Sequence, residues 1–346
     1  MRHALTRLQG LLRTAENLHQ PLAASFSITR RCNEHCRICY LASGSRNEIG
    51  TNKALETVSE LADLGTLFLT ITGGEPLLRS DLEEIIERAR DKGLAVKLLT
   101  NATLMDPTRA RRLAGLGLLS VHVTMFSTRE QLHDSITGLA GSLFRTRRGL
   151  DLLKAEGINL VIHTPLIKSN YAFRHEVEAF ASELEAGWIE DANITPGEDG
   201  NTFEKDRLGF EQLKQVIAER DTAHKHVQAA ITDEPLCAAG LRLLHVDSDG
   251  SVKPCIQDFR AAGNIFTQTL KDIWNNSELL RELRSRTRGD LDRVCANCQD
   301  IGLCGRCSAV ALLETGNDLG PSPSACLEAR AKKAVEMELG RLEGKM

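Results

Sequence analysis

The chain has 346 residues, of which 42% are hydrophobic and 26% charged, and a formal net charge of −4 at pH 7. That length suits two domains, and the acidic balance argues against a general nucleic-acid binder. No apolar run reaches membrane-spanning length and no secretion signal opens the chain, so its ten cysteines point to metal in a reducing cytoplasm rather than to disulfides.

The N-terminal segment, taken as 1–22, places Leu5, Leu8, Leu11 and Leu12 on one stripe. That spacing predicts a helix over 4–18, expected to cover one end of the following domain. Ala24 to Thr29 reads as a buried strand ended by Arg30-Arg31. Next comes Cys32-Asn33-Glu34-His35-Cys36-Arg37-Ile38-Cys39, a C-x3-C-x2-C loop leaving the first strand. Asn52 to Leu64 is expected to be a helix ended by Gly65, and Leu67 to Thr72 a second strand running into Gly73-Gly74-Glu75-Pro76. Ser80 is expected to cap a helix with Asp81, Glu83 and Glu84 in its first turn, where acids suit the helix dipole.

The alternation continues. Ala95 to Thr100 is the third strand, followed by Asn101. A helix over 107–115 precedes the strand Leu119 to Met125. Helices over 129–135 and 141–156, a fifth strand Leu160 to Ile167, a helix over 173–184 and a sixth strand Trp188 to Thr195 complete the series. Strands alternating with helices imply a parallel sheet with right-handed crossovers. His133-Asp134-x2-Thr137-Gly138-x2-Gly141-Ser142 reads locally as a turn and a helix N-cap at Ser142. Gly197 to Asn201 is a loop, and 203–230 is polar and helical.

Seven cysteines follow: Cys237, Cys255, Cys295, Cys298, Cys304, Cys307 and Cys326. Leu241 to Val246 and Ser251 to Pro254, around Asp247-Ser248-Asp249-Gly250, read as a β-hairpin that brings Cys237 near Cys255.

Three thiolates can hold three irons of a cubane cluster that normally takes four protein ligands, leaving one iron open. A C-x2-C pair is otherwise half a zinc site, but Cys36 and Cys39 have no C-x2-C or H-x3-H partner for the next hundred or so residues. Glycines at the end of the second strand let the backbone approach a ligand, and the Glu75 carboxylate can accept bonds from an ammonium group. In the distal block, C-x2-C…C-x2-C alone would fit a zinc ribbon, although seven ligands do not divide into fours.

The C-x3-C-x2-C loop and Gly-Gly-Glu-Pro, in this order, resemble the radical S-adenosylmethionine (SAM) superfamily. The resemblance implies a partial (β/α)6 barrel over 23–225. It also implies a 4Fe–4S cluster on Cys32, Cys36 and Cys39, with SAM on the open iron. The SAM amino group would meet Gly73, Gly74 and Glu75, and further contacts would come from Ile38, Asn101, Thr124 and Ser127. Many relatives have S-L-D-G where this chain has Thr124-Met125-Phe126-Ser127. The 133–142 stretch resembles one shared by relatives with extra clusters.

The distal cysteines resemble the SPASM extension, which would occupy 226–346 as a small cysteine-rich domain with a β-hairpin, helices and two auxiliary iron–sulfur clusters. By resemblance one cluster takes Cys295, Cys298, Cys304 and Cys326, and the other takes Cys237, Cys255 and Cys307. The last spacing is x2 where the family has x3. The three-cysteine site would have an open iron or a ligand such as Asp247, Asp249 or Asp258.

The resemblance further implies SAM cleavage to a 5′-deoxyadenosyl radical and hydrogen abstraction from a substrate, with a ribosomally made precursor peptide in first place. A separate leader-peptide-binding protein and a flavodoxin or ferredoxin donor are the expected partners, with no nucleic acid and no membrane. The alternatives are dehydrogenation or decarboxylation of a small molecule or tetrapyrrole side chain, and an iron–sulfur electron carrier or zinc scaffold without SAM chemistry.

Overall fold

The computed structural model describes residues 19–41, 48–220 and 235–341, together with Gly10 and Thr14. Most of the helix expected over 4–18, and the end of the one expected over 203–230, lie outside the described residues.

Six strands alternate with helices. They are β1 (Ala23–Thr29), β2 (Phe68–Gly73), β3 (Ala95–Thr100), β4 (Ser120–Thr124), β5 (Leu160–Pro165) and β6 (Gly187–Asp191). The intervening helices are α1 (Thr51–Asp63), α2 (Leu82–Asp91), α3 (Pro107–Gly115), α4 (Glu130–Thr137), α5 (Ser142–Ala155) and α6 (Arg174–Glu183). All neighbours among β1 to β6 pair in parallel, and the sheet does not close. This is the expected partial barrel.

The period of two along each strand separates its faces. Phe26, Ile28, Leu69, Ile71, Val96 and Leu98 are wholly buried against the helix layer. Their neighbours Ser25, Ser27, Thr70, Thr72, Lys97 and His122 point to the inner face. The barrel therefore has an apolar outside under its helices and a polar inside.

The distal hairpin does not form a sheet of its own. Strand β7 (Leu243–Val246) lies parallel to β1, with Ala23 opposite Leu243 and Phe26 opposite Val246. Strands β8 (Ser251–Lys253) and β9 (Gly263–Asn264) then continue antiparallel, giving the order β6-β5-β4-β3-β2-β1-β7-β8-β9. Beyond α7 (Phe210–Glu219), the distal region adds α8 (Leu270–Asn276), α9 (Glu278–Ser285), α10 (Arg293–Ala296), α11 (Ser308–Thr315) and α12 (Pro323–Glu338). Helix α12 returns to the barrel side, packing Ala331 and Val335 against Leu213, Val216 and Ile217 of α7. Among the described residues no helix is long and apolar enough to cross a membrane.

Three local expectations shift. Asp81, not Ser80, occupies the N-cap of α2, and its carboxylate is held by Arg79 at 2.8 Å rather than capping. Ser142 is the first residue of α5, behind an N-cap at Gly141 in the left-handed conformation. Strand β6 ends at Asp191, four residues before the expected Thr195, where the Asp191 carboxylate accepts from the Asn193 N–H at 2.8 Å and turns the chain.

His245 on β7 is buried, with Nδ1 2.8 Å from Ser25 Oγ on β1. Burial lowers its pKa to about 3. A histidine kept neutral in the fold binds protons more readily when unfolded, so its contribution is present above about pH 6.5 and is lost as pH falls toward 3. His122 and His133, lowered by burial to about 4, act in the same direction. The melting temperature of the cluster-free protein is expected to fall from pH 7 to pH 4.5. His245→Gln should flatten part of that slope in calorimetry, and an unchanged slope would place the acid sensitivity elsewhere.

Candidate functional site

The site is built where β1 ends. The cysteine loop is held from beneath by the C-terminus of α4, whose last carbonyls have no partner within the helix. The His35 N–H donates to Thr137 O at 2.8 Å and the Arg37 N–H to Ile136 O at 2.9 Å. Helix α4 ends on Gly138 at φ 67°, where a Cβ would come within 2.9 Å of the His35 carbonyl oxygen. Asp134 fixes that corner by accepting from Ser142 Oγ at 2.8 Å and from the Leu143 N–H at 3.0 Å. The His133 to Ser142 stretch noted in the sequence is therefore the platform of the cysteine loop.

The Gly-Gly-Glu turn grips the same loop from the other side. The Gly74 N–H donates to Thr29 O and the Glu75 N–H to Arg31 O, both at 2.8 Å. A Cβ on Gly73 would stand 2.1 Å from Thr29 O, and one on Gly74 2.3 Å from Arg31 O. The close approach that calls for glycine here is to the backbone of β1.

Glu75 is fully buried. Its Oε1 accepts from Thr100 Oγ1 at 2.6 Å and from the Leu77 N–H at 2.9 Å, and Oε2 accepts from the Asn101 N–H at 2.7 Å. A carboxylate offers about four lone-pair sites, so one on Oε2 remains. Asn101 in turn donates through Nδ2 to Asn33 Oδ1 at 3.0 Å, linking the cysteine loop, β2 and β3. Ile38 is buried in an apolar cluster with Phe126, Ile136 and Ile167. Ser127 is buried and its Oγ accepts from the Arg129 N–H at 3.1 Å, while Thr124 is half-buried at the end of β4.

Sequence reasoning missed the charges behind the loop. Arg30 is buried and pairs with Asp247 at 2.6 Å and with Glu198. Lys253 pairs with Asp247 at 2.7 Å and with Glu198 at 3.5 Å. Tyr40, half-buried next to Cys39, stacks on Phe259 with ring centroids 6.4 Å apart. Arg30 meets Asp247 across 217 positions and Glu198 across 168, so no local pattern announces these pairs.

The ten cysteines are free thiols in three groups. Cys32, Cys36 and Cys39 lie close enough to raise one another's pKa; burial, the largest cause, pushes Cys32 to about 11. Cys237, Cys255 and Cys307 line one cavity with Asp258 and Arg286, and burial raises Cys255 to about 12. Burial raises Cys295, Cys304 and Cys326, and the neighbouring thiols of this group, Cys298 included, add to it. Among the described residues no three His, Cys, Asp or Glu side chains converge closely enough for one metal ion. Soft sulfur donors in sets of three, three and four, spaced more widely than the ligands of one zinc, fit multi-iron clusters.

Of the three acids near the three-thiol cavity in sequence, only Asp258 lines it. Asp247 belongs to the Arg30 and Lys253 pairs, and Asp249 accepts from Ser251 in the hairpin turn. Asp258 is itself gripped by Arg260, through Nε at 3.0 Å and Nη2 at 2.7 Å. Gln257 Oε1 lies 3.6 Å from Cys307 Sγ.

The profile of the radical SAM superfamily matches residues 26–180, and that of an iron–sulfur cluster-binding domain, SPASM, matches 237–299. The AdoMet-dependent heme synthase of Methanosarcina barkeri is 29% identical, over 90% of this chain and 98% of its own length. The PqqA peptide cyclase of Gluconobacter oxydans is 29% identical, over 91% of this chain and 94% of its own. Streptococcus suis SuiB bound to S-adenosylmethionine superposes with a TM-score of 0.70 at 19% identity, covering 94% of this chain and 82% of that one.

Glu75→Gln keeps the shape but turns an NH2 group toward one of the three donors that the carboxylate now satisfies. The expected cost is about 1–3 kcal/mol of unfolding free energy in denaturant titration, before any ligand is added. Unchanged stability would mean that the three bonds carry no weight.

Proposed function

We propose that this chain, which belongs to the radical SAM superfamily and carries a SPASM domain, is an enzyme that cleaves S-adenosylmethionine reductively and abstracts hydrogen from a peptide substrate. The observation that carries the reading is the three-thiol loop at the end of β1, clamped against Gly73, Gly74 and Glu75. When bound, the cluster and SAM supply an electron and a 5′-deoxyadenosyl radical that removes hydrogen from an unactivated carbon.

The chain's own groups do the positioning. Cys32, Cys36 and Cys39 hold the cluster through three thiolates. The remaining lone pair of Glu75 receives the SAM ammonium. Ile38 provides an apolar wall for SAM, and Asn101, Thr124 and Ser127 offer polar groups around its ribose side. The barrel spans about 23–225 and the cluster-bearing extension the remainder, although the hairpin of the extension shares the barrel's sheet.

Cys295, Cys298, Cys304 and Cys326 form a complete ligand set for one auxiliary cluster. Cys237, Cys255 and Cys307 form an incomplete set for the other. Arg260 holds both oxygens of Asp258 and leaves one lone pair on Oδ2, so the reading adopted is a three-thiolate site with one iron open to a non-protein group, and Asp258 is the side chain that competes for that iron. The enzyme works in a reducing cytoplasm with a flavodoxin or ferredoxin as donor, and a separate leader-binding protein delivers the peptide.

The peptide reading draws on the PqqA peptide cyclase at 29% identity over nearly the whole of both chains. The heme synthase at the same identity favours a second reading, oxidation of a tetrapyrrole side chain.

Anaerobic reconstitution with dithionite and SAM is expected to give 5′-deoxyadenosine. Replacing Cys32, Cys36 and Cys39 by Ala should abolish it and remove about four irons. Continued cleavage in the triple variant would sink the assignment. In that same background Asp258→Asn should leave the iron content and the auxiliary cluster spectra unchanged. A loss of iron, or a shifted signal, would make Asp258 the closing ligand.

A further inference from the structure

We infer that the inner face of the barrel carries a subsite for a carboxylate of the substrate, formed by Lys97 on β3, His122 on β4 and His163 on β5. This rests on the radical SAM reading in placing the substrate within the barrel. The three side chains project from adjacent strands. Lys97 lies opposite Thr70, His122 opposite Leu99, and His163 opposite Thr124. Their strand neighbours Val96, Leu98, Val121, Val123 and Ile162 are fully buried against the helices, so the three point inward.

All three are half-buried, and among the described residues none has a hydrogen-bond or ion-pair partner. His122 is the middle member: it lies one diagonal step from Lys97, whose partner on β4 is Ser120, and one from His163, which follows Val161, the partner of His122 on β5, by two residues. The charges of both neighbours add to burial in lowering the pKa of His122. Among the described residues, the acid that acts on the group is Asp191 at the end of β6, beside His163. An ammonium drawn partly out of water without a counter-ion is costly. Around it the inner face remains polar, with Ser25, Ser27, Thr70 and Thr72 on β1 and β2. Ile189, opposite His163 on β6, is 46% exposed on the same face, so the interior is open on that side.

A carboxylate fits this donor set. It accepts a charge-assisted bond from Lys97 and further bonds from the N–H that each neutral imidazole retains. A doubly charged phosphate fits less well, because Lys97 is the one fixed positive charge of the group and Asp191 stands nearby. Lys97 precedes Thr100, which holds Glu75, by three residues, or about 10 Å along the strand. A substrate anchored at Lys97 would thus reach toward the Gly-Gly-Glu turn. The anchoring carboxylate has two available sources, an Asp or Glu side chain of a peptide and a carboxylated side chain of a tetrapyrrole.

The test uses the reconstituted, SAM-loaded holoprotein under anaerobic equilibrium dialysis, with an acidic Asp/Glu oligopeptide and a tetracarboxylate porphyrin as probes. At least one probe is expected to bind the wild-type protein, and which one identifies the source. Lys97→Met should weaken it about tenfold or more, as loss of a charge-assisted bond implies. His122→Asn and His163→Asn should each weaken it less, and Lys97→Arg should retain most of the binding with iron content unchanged. The corresponding amide probes should bind wild type and Lys97→Met alike. Failure of both probes to bind, or equal binding by wild type and Lys97→Met, overturns the subsite. 5′-Deoxyadenosine formed by the wild type without any probe reports the radical chemistry separately, so the loss of either reading is distinguishable.

Discussion

Everything in this molecule hangs on β1. It is hydrogen-bonded on one side to β2 and on the other to β7, so it lies inside the sheet although it opens the described barrel. A strand paired on both edges has little freedom to shift, and the loop at its end inherits that fixity. Two further clamps close on the root of the loop: the Gly73-Gly74 backbone presses on Thr29 and Arg31, and the carbonyls of α4 hold His35 and Arg37. The eight-residue cysteine loop is thereby held through its backbone at both ends, with Ile38 packed into an apolar cluster between them.

The buried charges behind that loop serve the same end. Arg30, Asp247, Lys253 and Glu198 balance as two positive and two negative groups with almost no exposure. Burying ions is costly, and removing one partner leaves a stranded charge, so such a group tolerates one arrangement and penalises others. Here that arrangement holds the β7–β8 hairpin against the barrel, and with it Cys255, two residues after Lys253. The spacing between the first cysteine loop and the three-thiol cavity is thus set by the fold and not by a flexible linker.

The barrel's inner face stands apart from these clamps. It is polar over β1 to β5, but the polar groups near β1 satisfy one another, as His245 does with Ser25. Across β3 to β5, Lys97, His122 and His163 have no such partners among the described residues. Among the described residues the barrel interior is thus paired on the β1 side and unpaired on the β3–β5 side. Asp191, Asn193 and Thr195 extend that second side toward Gln257 and Cys307, around a cavity of about 230 Å³ between the end of β6 and the distal region.

The sequence by itself determined the local features. Strand-period alternation and helix spacing fixed the six βα units, because burial of one face is written in neighbouring residues. The cysteine spacings marked both thiol regions, since ligands on one loop must be close in sequence. What only the tertiary structure decided are the long-range meetings. The pairing of β7 with β1 was invisible, because both strands read equally well as members of separate sheets. The partners of Glu75, on β3, turned a residue read as a ligand group into one that also ties three segments together. Arg30 looked like a strand terminator until Asp247 and Glu198 came to it. Ser142 carried a cap signal, but its hydroxyl bonds to Asp134 and Thr137 and Gly141 stands at the N-cap instead; at α2 that place falls to Asp81 rather than Ser80. A pattern of residue types encodes which face is buried; it does not encode which distant group will arrive there, and that is set by how the whole sheet stacks.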